Sequence, residues 1–83
     1  MPVLSRFGGM VFKMYLLGKE HNPPHIHVLC GEYNAVIDLV SVSLVEGDLP
    51  ARSLSSALEW AALHRAELLQ MWETQQFSLL PPL

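Results

Sequence analysis

Three of the four histidines in this 83-residue chain fall within seven residues, in the run His21-Asn22-Pro23-Pro24-His25-Ile26-His27. Side chains two residues apart on a β-strand point to the same face, about 7 Å apart, so His25 and His27 can approach one ion. His21, on a loop stiffened by two prolines, can fold back toward them. Three histidines with an open fourth position are typical of catalytic zinc. The spacing predicts a site for zinc or another divalent transition metal, with His21, His25 and His27 as ligands.

The same histidines can act without a metal. Two imidazoles on one face, with the carboxylate of Asp38 beside one of them, have the groups needed for general base and general acid catalysis. Lys13 or Arg6 nearby would hold a phosphate, which suits cleavage of RNA. His25, His27 and Asp38 are therefore the predicted catalytic residues of a histidine-dependent nuclease or hydrolase.

A structural interpretation competes with both kinds of chemistry. In this interpretation residues 21–24 only shape a tight loop, and His25 and Asp38 form an ordinary cross-strand pair. We expect His64, on the apolar stripe of a helix, to be packed and hydrogen-bonded. Cys30 lies on the predicted core face without a basic neighbour in the sequence, so we do not expect a reactive thiol.

The elements that position these residues are strands in the first two-thirds of the chain. Residues 7–17 are rich in aromatic and β-branched types and predict a first strand, with Gly8 and Gly9 as a bend or bulge at its head. Residues 25–30 and 33–39 predict a hairpin closed by Gly31-Glu32, a glycine-first pair that favours a type II′ turn. Residues 42–46 predict a short last strand.

This turn fixes the register of the hairpin and separates its two faces. Counting back from the turn pairs His25 with Asp38 and His27 with Val36. The predicted core face carries Ile26, Val28, Cys30, Tyr33, Ala35, Ile37 and Leu39. The opposite face carries His25, His27, Leu29, Asn34, Val36 and Asp38.

Residues 51–76 contain no glycine or proline and repeat apolar residues at helical spacing, which predicts an amphipathic helix. Pro50 suits the first turn of this helix, and Asp48 suits its cap. An unbroken helix would run about 39 Å, longer than so small a domain is wide, so we expect a break around His64-Arg65 or a projecting end. The apolar tail, residues 77–83, is expected to pack on the core or on a neighbour.

The length fits one α+β domain. Residues 1–47 would form a three- to four-stranded antiparallel sheet, from an N-terminal strand and the hairpin, packed against one long or broken C-terminal helix within 48–76. The chain is 51% hydrophobic and 16% charged. A domain this small cannot bury all of its apolar residues, so some apolar surface should remain for a partner. We expect a homodimer or a small protein partner, with the interface sought first at the C-terminal end.

Charge and composition also exclude several classes of protein. The net charge is −3 and the five basic residues are scattered, which disfavours nucleic acid as a partner. A single cysteine fits a reducing compartment. No apolar run approaches the length of a membrane span, and the N-terminal residues do not resemble a signal peptide. We therefore expect a cytoplasmic protein without a membrane segment.

Several motifs together resemble a bacterial family, the domain of unknown function 4160, over nearly the whole chain. They are Ser5-Arg6-Phe7, the block HNPPHIHV at 21–28, Ala35-Val36-Ile37-Asp38, Glu46-Gly47-Asp48-Leu49-Pro50, Glu59-Trp60-Ala61, Leu63-His64-Arg65, Glu67-Leu68-Leu69 and Trp72. The hallmark residues that the resemblance implies are His21, Asn22, Pro23, Pro24, His25, His27, Asp38, Trp60, His64 and Trp72.

The resemblance implies no defined activity. Members of the family are small single-domain proteins, and many resemble one half of a gene pair with another short protein, as in toxin–antitoxin modules. The leading hypothesis is a cytoplasmic partner-binding protein of this type. The alternative is a nuclease or hydrolase that uses His25 and His27 as base and acid or as metal ligands.

Overall fold

The computed structural model describes residues 2–15 and 23–83, which form an antiparallel sheet packed against two helices. The strands are β1 (Val3–Phe7), β2 (Met10–Lys13), β3 (His25–Cys30), β4 (Tyr33–Asp38) and β5 (Ser43–Gly47), and the helices are α1 (Ala51–Leu63) and α2 (Arg65–Thr74). The strands lie in the sheet in chain order. The predicted α+β class is confirmed, with five strands instead of three or four.

The N-terminal part of the sheet differs from the prediction. Gly8 and Gly9 do not bend one long strand but form the turn between β1 and β2, with φ angles of 57° and 74°. Positive φ at both central residues is what a type I′ hairpin turn requires, and glycine adopts it without steric cost. Phe7 therefore pairs with Met10, and β1 becomes an edge strand that the sequence did not predict. β2 ends at Lys13, earlier than expected.

The hairpin of β3 and β4 has the predicted register in all six pairs, from Cys30 opposite Tyr33 to His25 opposite Asp38. Positive φ at its turn is confined to Gly31, at 59°, as a type II′ turn requires. On the predicted core face, Tyr33 departs from the expectation because it lies beside the turn and is 46% exposed. The buried members of this face are Ile26, Val28, Ala35, Ile37 and Leu39.

The helical segment breaks at His64, one of the two outcomes predicted from its length. Arg65, the first residue of α2, donates from Nε to the carbonyl oxygen of Leu39 at 2.9 Å. This bond fixes the break against the end of β4. Neither helix, and no other helix within residues 2–15 and 23–83, combines the length and apolar character needed to cross a membrane.

The start of α1 corrects a prediction. Pro50 is the N-cap residue, with non-helical dihedral angles, instead of a residue inside the first turn. Asp48 is then two residues before the cap and does not cap the helix. Its Oδ1 accepts a hydrogen bond from the N–H of Leu49 at 2.8 Å, within the turn that leads into the helix.

The C-terminal tail packs on the core of its own chain, one of its two predicted positions. The N–H of Leu80 donates to the carbonyl oxygen of Leu4 in β1 at 2.7 Å, and Leu80 is buried. The indole Nε1 of Trp60, at the centre of the core, donates to the carbonyl oxygen of Pro81 at 2.9 Å. The tail therefore covers part of the edge of β1.

Candidate functional site

The predicted polar face of the hairpin forms a groove on the side of the sheet opposite the main core, which we call the outer face. The groove has a volume of about 470 Å³. Its lining combines two histidines and two carboxylates with aromatic and apolar side chains, namely Tyr15, Pro23, His25, His27, Val36, Asp38, Val45 and Glu46. The structure therefore brings together three of the four residues proposed for chemistry, His25, His27 and Asp38.

The strand register places these side chains in rows across the outer face. One row runs from Lys13 on β2 to His27 on β3, Val36 on β4 and Glu46 on β5, each residue directly opposite the next. A bulge between β4 and β5 adds Val45 to this row. Residues directly opposite one another in a sheet point to the same face, so the row is a continuous surface.

His25 is held in a defined orientation at the start of β3. Its Nδ1 lies 2.9 Å from the carbonyl oxygen of Pro23, and because a carbonyl only accepts, Nδ1 donates the proton. In the neutral ring Nε2 is then the acceptor, as in histidines that a backbone carbonyl orients toward metals or substrates. The ring also lies 5.1 Å from that of Trp72. His25 is therefore buried where α2 reaches the end of the sheet, and is not an isolated outer-face residue.

His27 lies beside His25 on the outer face. Their ring centroids are 5.1 Å apart, with the planes nearly perpendicular. Tyr15 stacks on His27 with the ring centroids 3.9 Å apart and an angle of 20° between the planes. This contact restricts the His27 ring and adds a flat aromatic surface to the groove.

Asp38 has a clear structural role. Its Oδ1 accepts hydrogen bonds from the N–H groups of Val40 at 2.7 Å and Ser41 at 2.9 Å, which shape the turn into β5. The backbone bond from Ser41 is the main cause that lowers the pKa of Asp38, and the charge of His25 adds to it, while burial opposes the shift. Asp38 therefore places a negative charge beside His25. The two residues form the cross-strand pair that the structural interpretation predicted.

The three-histidine metal site stays a prediction, because His21 lies outside the described residues. Among residues 2–15 and 23–83, no three histidine, cysteine or acidic residues are grouped closely enough to hold a metal ion. His25 and His27 alone come together there. His64 is buried at the helix break with its Nδ1 2.9 Å from Glu67 Oε1, packed and hydrogen-bonded as expected.

Sequence reasoning missed three residues of the groove, Tyr15, Val45 and Glu46. Tyr15 follows Lys13 by two residues, so the alternation of the first strand places it on the same face. The other two depend on the bulge of β5, which has no reliable signal in the sequence.

A comparison with protein-family models matches residues 9–73 to the family described as Domain of unknown function (DUF4160). No curated protein and no solved structure matches the chain. The matched region includes the whole groove and most of the helical layer.

Proposed function

Because the chain belongs to the domain of unknown function 4160 family, we propose that it is a partner-binding protein of the bacterial cytoplasm. It acts by forming a complex, as one component of a toxin–antitoxin-like gene pair. It binds its partner through the outer face of the sheet and not through the C-terminal end expected from the sequence, because the apolar tail packs on the core of its own chain. The observation that carries this proposal is the groove on a sheet face that lies opposite the helical layer.

The composition of the groove supports a protein as the occupant. Val45 is 58% exposed and lies beside the half-buried Val36, so the centre of the surface is apolar. Asp38 and Glu46 provide charge at the margin. An apolar centre with a polar rim and aromatic residues such as Tyr15 is typical of protein–protein interfaces.

A Val45→Lys variant tests this function. A charge at the apolar centre should weaken the complex about tenfold or more, because the new ammonium group must be desolvated on binding. The chain would be co-expressed with the short protein of the neighbouring gene, and complex formation measured by size-exclusion chromatography with light scattering.

Val40→Lys is the matched control, because Val40 is also 58% exposed but does not line the groove. It should leave the complex intact. A wild-type chain that binds no such partner, or equal effects of the two variants, would contradict the proposal.

A specific observation favours a second candidate, a histidine-dependent nuclease or hydrolase. The hydrogen bond from His25 Nδ1 to Pro23 leaves Nε2 as a base, and His27 is close enough to act as the paired acid. Lys13, directly opposite His27, is the cation nearest to them in the register and can hold a phosphate.

For this candidate, a His25→Gln, His27→Gln double variant should lose RNA or ester hydrolysis by about 100-fold or more, since each imidazole contributes general catalysis. Hydrolysis would be measured with the purified chain, and circular dichroism would confirm the fold. Asn34→Gln is the control, because Asn34 lies on the same face of β4 as Val36 and Asp38 but outside the groove lining. Hydrolysis that survives the double substitution would exclude this mechanism.

A further inference from the structure

The outer face is charge-complementary to itself, and we infer that its occupant is a second copy of this chain, packed face to face around a two-fold axis parallel to the strands. The inference rests on the proposed function, because it names what occupies the same surface in the purified chain, before the partner from the gene pair displaces it. Two-fold dimers are the commonest protein assemblies, and each uses the same patch on both copies.

The charges on the outer face change sign across the sheet. The row Lys13, His27, Val36, Glu46 starts with a cation on β2 and ends with an anion on β5. An axis along the strands, between β3 and β4, exchanges β2 with β5 and β3 with β4. Lys13 of each copy then faces Glu46 of the other, and the apolar Val36 lies near the axis.

A second row of residues on the outer face fits the same two-fold axis. His25 on β3 is directly opposite Asp38 on β4, so the same axis places His25 of one copy over Asp38 of the other. The lowered pKa of Asp38 keeps it anionic as an acceptor for either imidazole. In both rows, therefore, the same two-fold axis places a basic side chain of one copy over an acidic side chain of the other. Each of these pairs occurs twice in the dimer.

The geometry agrees with the way that sheets pack. Two sheets stack face to face about 10 Å apart with their strands nearly aligned, which an axis parallel to the strands produces. Lysine and glutamate side chains can span this gap from opposite sides. The grooves of the two copies would open onto each other, so that the half-buried His27 is fully enclosed only in the dimer.

The alternative axis, across the strands, fails on charge. When it runs along the Lys13–Glu46 row, it would place Lys13 over Lys13 and Glu46 over Glu46, and like charges face to face are destabilising. The charge order thus selects one orientation of the two copies.

Charge-reversal variants test the dimer. The wild-type chain should have a mass near twice 9.3 kDa at high concentration in light scattering or sedimentation. Lys13→Glu and Glu46→Lys should each weaken association about tenfold or more, because each creates two like-charge contacts. The double variant with both substitutions should regain the dimer, since the charges are exchanged and not lost.

Two control variants reverse a charge in the same way, at residues outside the predicted contacts. Arg6 lies on the outer face but on β1, opposite Val11, and the axis moves it beyond the partner's last strand, so Arg6→Glu should dimerise normally. Glu59→Lys alters the exposed side of α1 and should also dimerise. Circular dichroism and thermal melting would confirm that every variant is folded.

The outcomes separate this inference from the proposed function. A monomer at every concentration, a dimer indifferent to both single variants, or a double variant that stays monomeric would each overturn the two-fold dimer. None of these results decides whether a different short protein binds at Val45, which the co-expression experiment measures. Dissociation by each single variant with recovery in the double variant would support the dimer.

Discussion

A Trp60→Ala variant should lose about 3 to 5 kcal/mol of unfolding free energy, the range for truncation of a large buried aromatic side chain. Trp60 has no exposed surface, and its ring centroid lies 4.5 Å from that of Phe12 and 6.3 Å from that of Phe7. Its indole N–H also holds the tail at Pro81. Because small domains have only about 5 to 15 kcal/mol in total, the variant should be close to unfolding at physiological temperature.

Urea denaturation followed by circular dichroism measures this loss. Trp60→Phe separates the contribution of ring packing from that of the hydrogen bond, since it keeps a ring against Phe12 but cannot donate to Pro81. It should lose less unfolding free energy than Trp60→Ala. Leu79→Ala is the surface control, because Leu79 is 76% exposed in the tail, and its effect should be near zero. A Trp60→Ala variant as stable as the wild type would show that the helices do not pack on the sheet through this residue.

A Gly47→Ala variant should lose about 3 kcal/mol or more through strain at the edge of the sheet. Gly47 has a φ of 78°, which residues with a side chain rarely adopt, and a Cβ there would overlap the carbonyl oxygen of Asn34. That oxygen accepts a hydrogen bond from the N–H of Asp48 at 2.9 Å, so moving it aside disturbs the turn toward α1. The neighbouring atoms belong to the backbone of β4 and cannot rotate away.

Gly9→Ala is a closely matched control for Gly47→Ala. Gly9 has a similar φ of 74°, but a Cβ there would meet no atom within 4 Å. This variant should therefore lose only about 1 to 2 kcal/mol of unfolding free energy, the cost of holding a residue with a side chain in the left-handed backbone conformation. Equal losses in the two variants, measured by chemical denaturation, would indicate that close contact between β4 and β5 is absent.

The hairpin was the most predictable part of the fold because its determinants are local. Gly31 permits only a few two-residue turns, and the alternation on either side has one register that places most of the apolar residues on one face. Helix length likewise predicted either a break around His64-Arg65 or a projecting end, and the structure has the break. The pair His25 and Asp38 followed from the same register, so the centre of the candidate site could be found without a structure.

The remaining parts depend on contacts between distant segments. Gly8 and Gly9 fit a bulge or a turn equally well, and only the pairing of β1 with β2 decides between them. The groove also needs the bulge that places Val45 beside Val36, which arises from the pairing of β4 with β5. The turn made by Asp38 was not predicted because its carboxylate was assigned to chemistry instead of to nearby N–H groups.

The bond between Leu80 and Leu4 joins the tail to β1, which the ribosome makes long before it. While the chain is still being translated, β1 and β2 can pair, but the free edge of β1 stays uncovered until residues 80 and 81 leave the ribosome. An unpaired edge can add a strand from another nascent chain. Slow translation of the codons for the tail, or termination before them, should therefore favour aggregation on polysomes, even though every strand of the sheet has already been made.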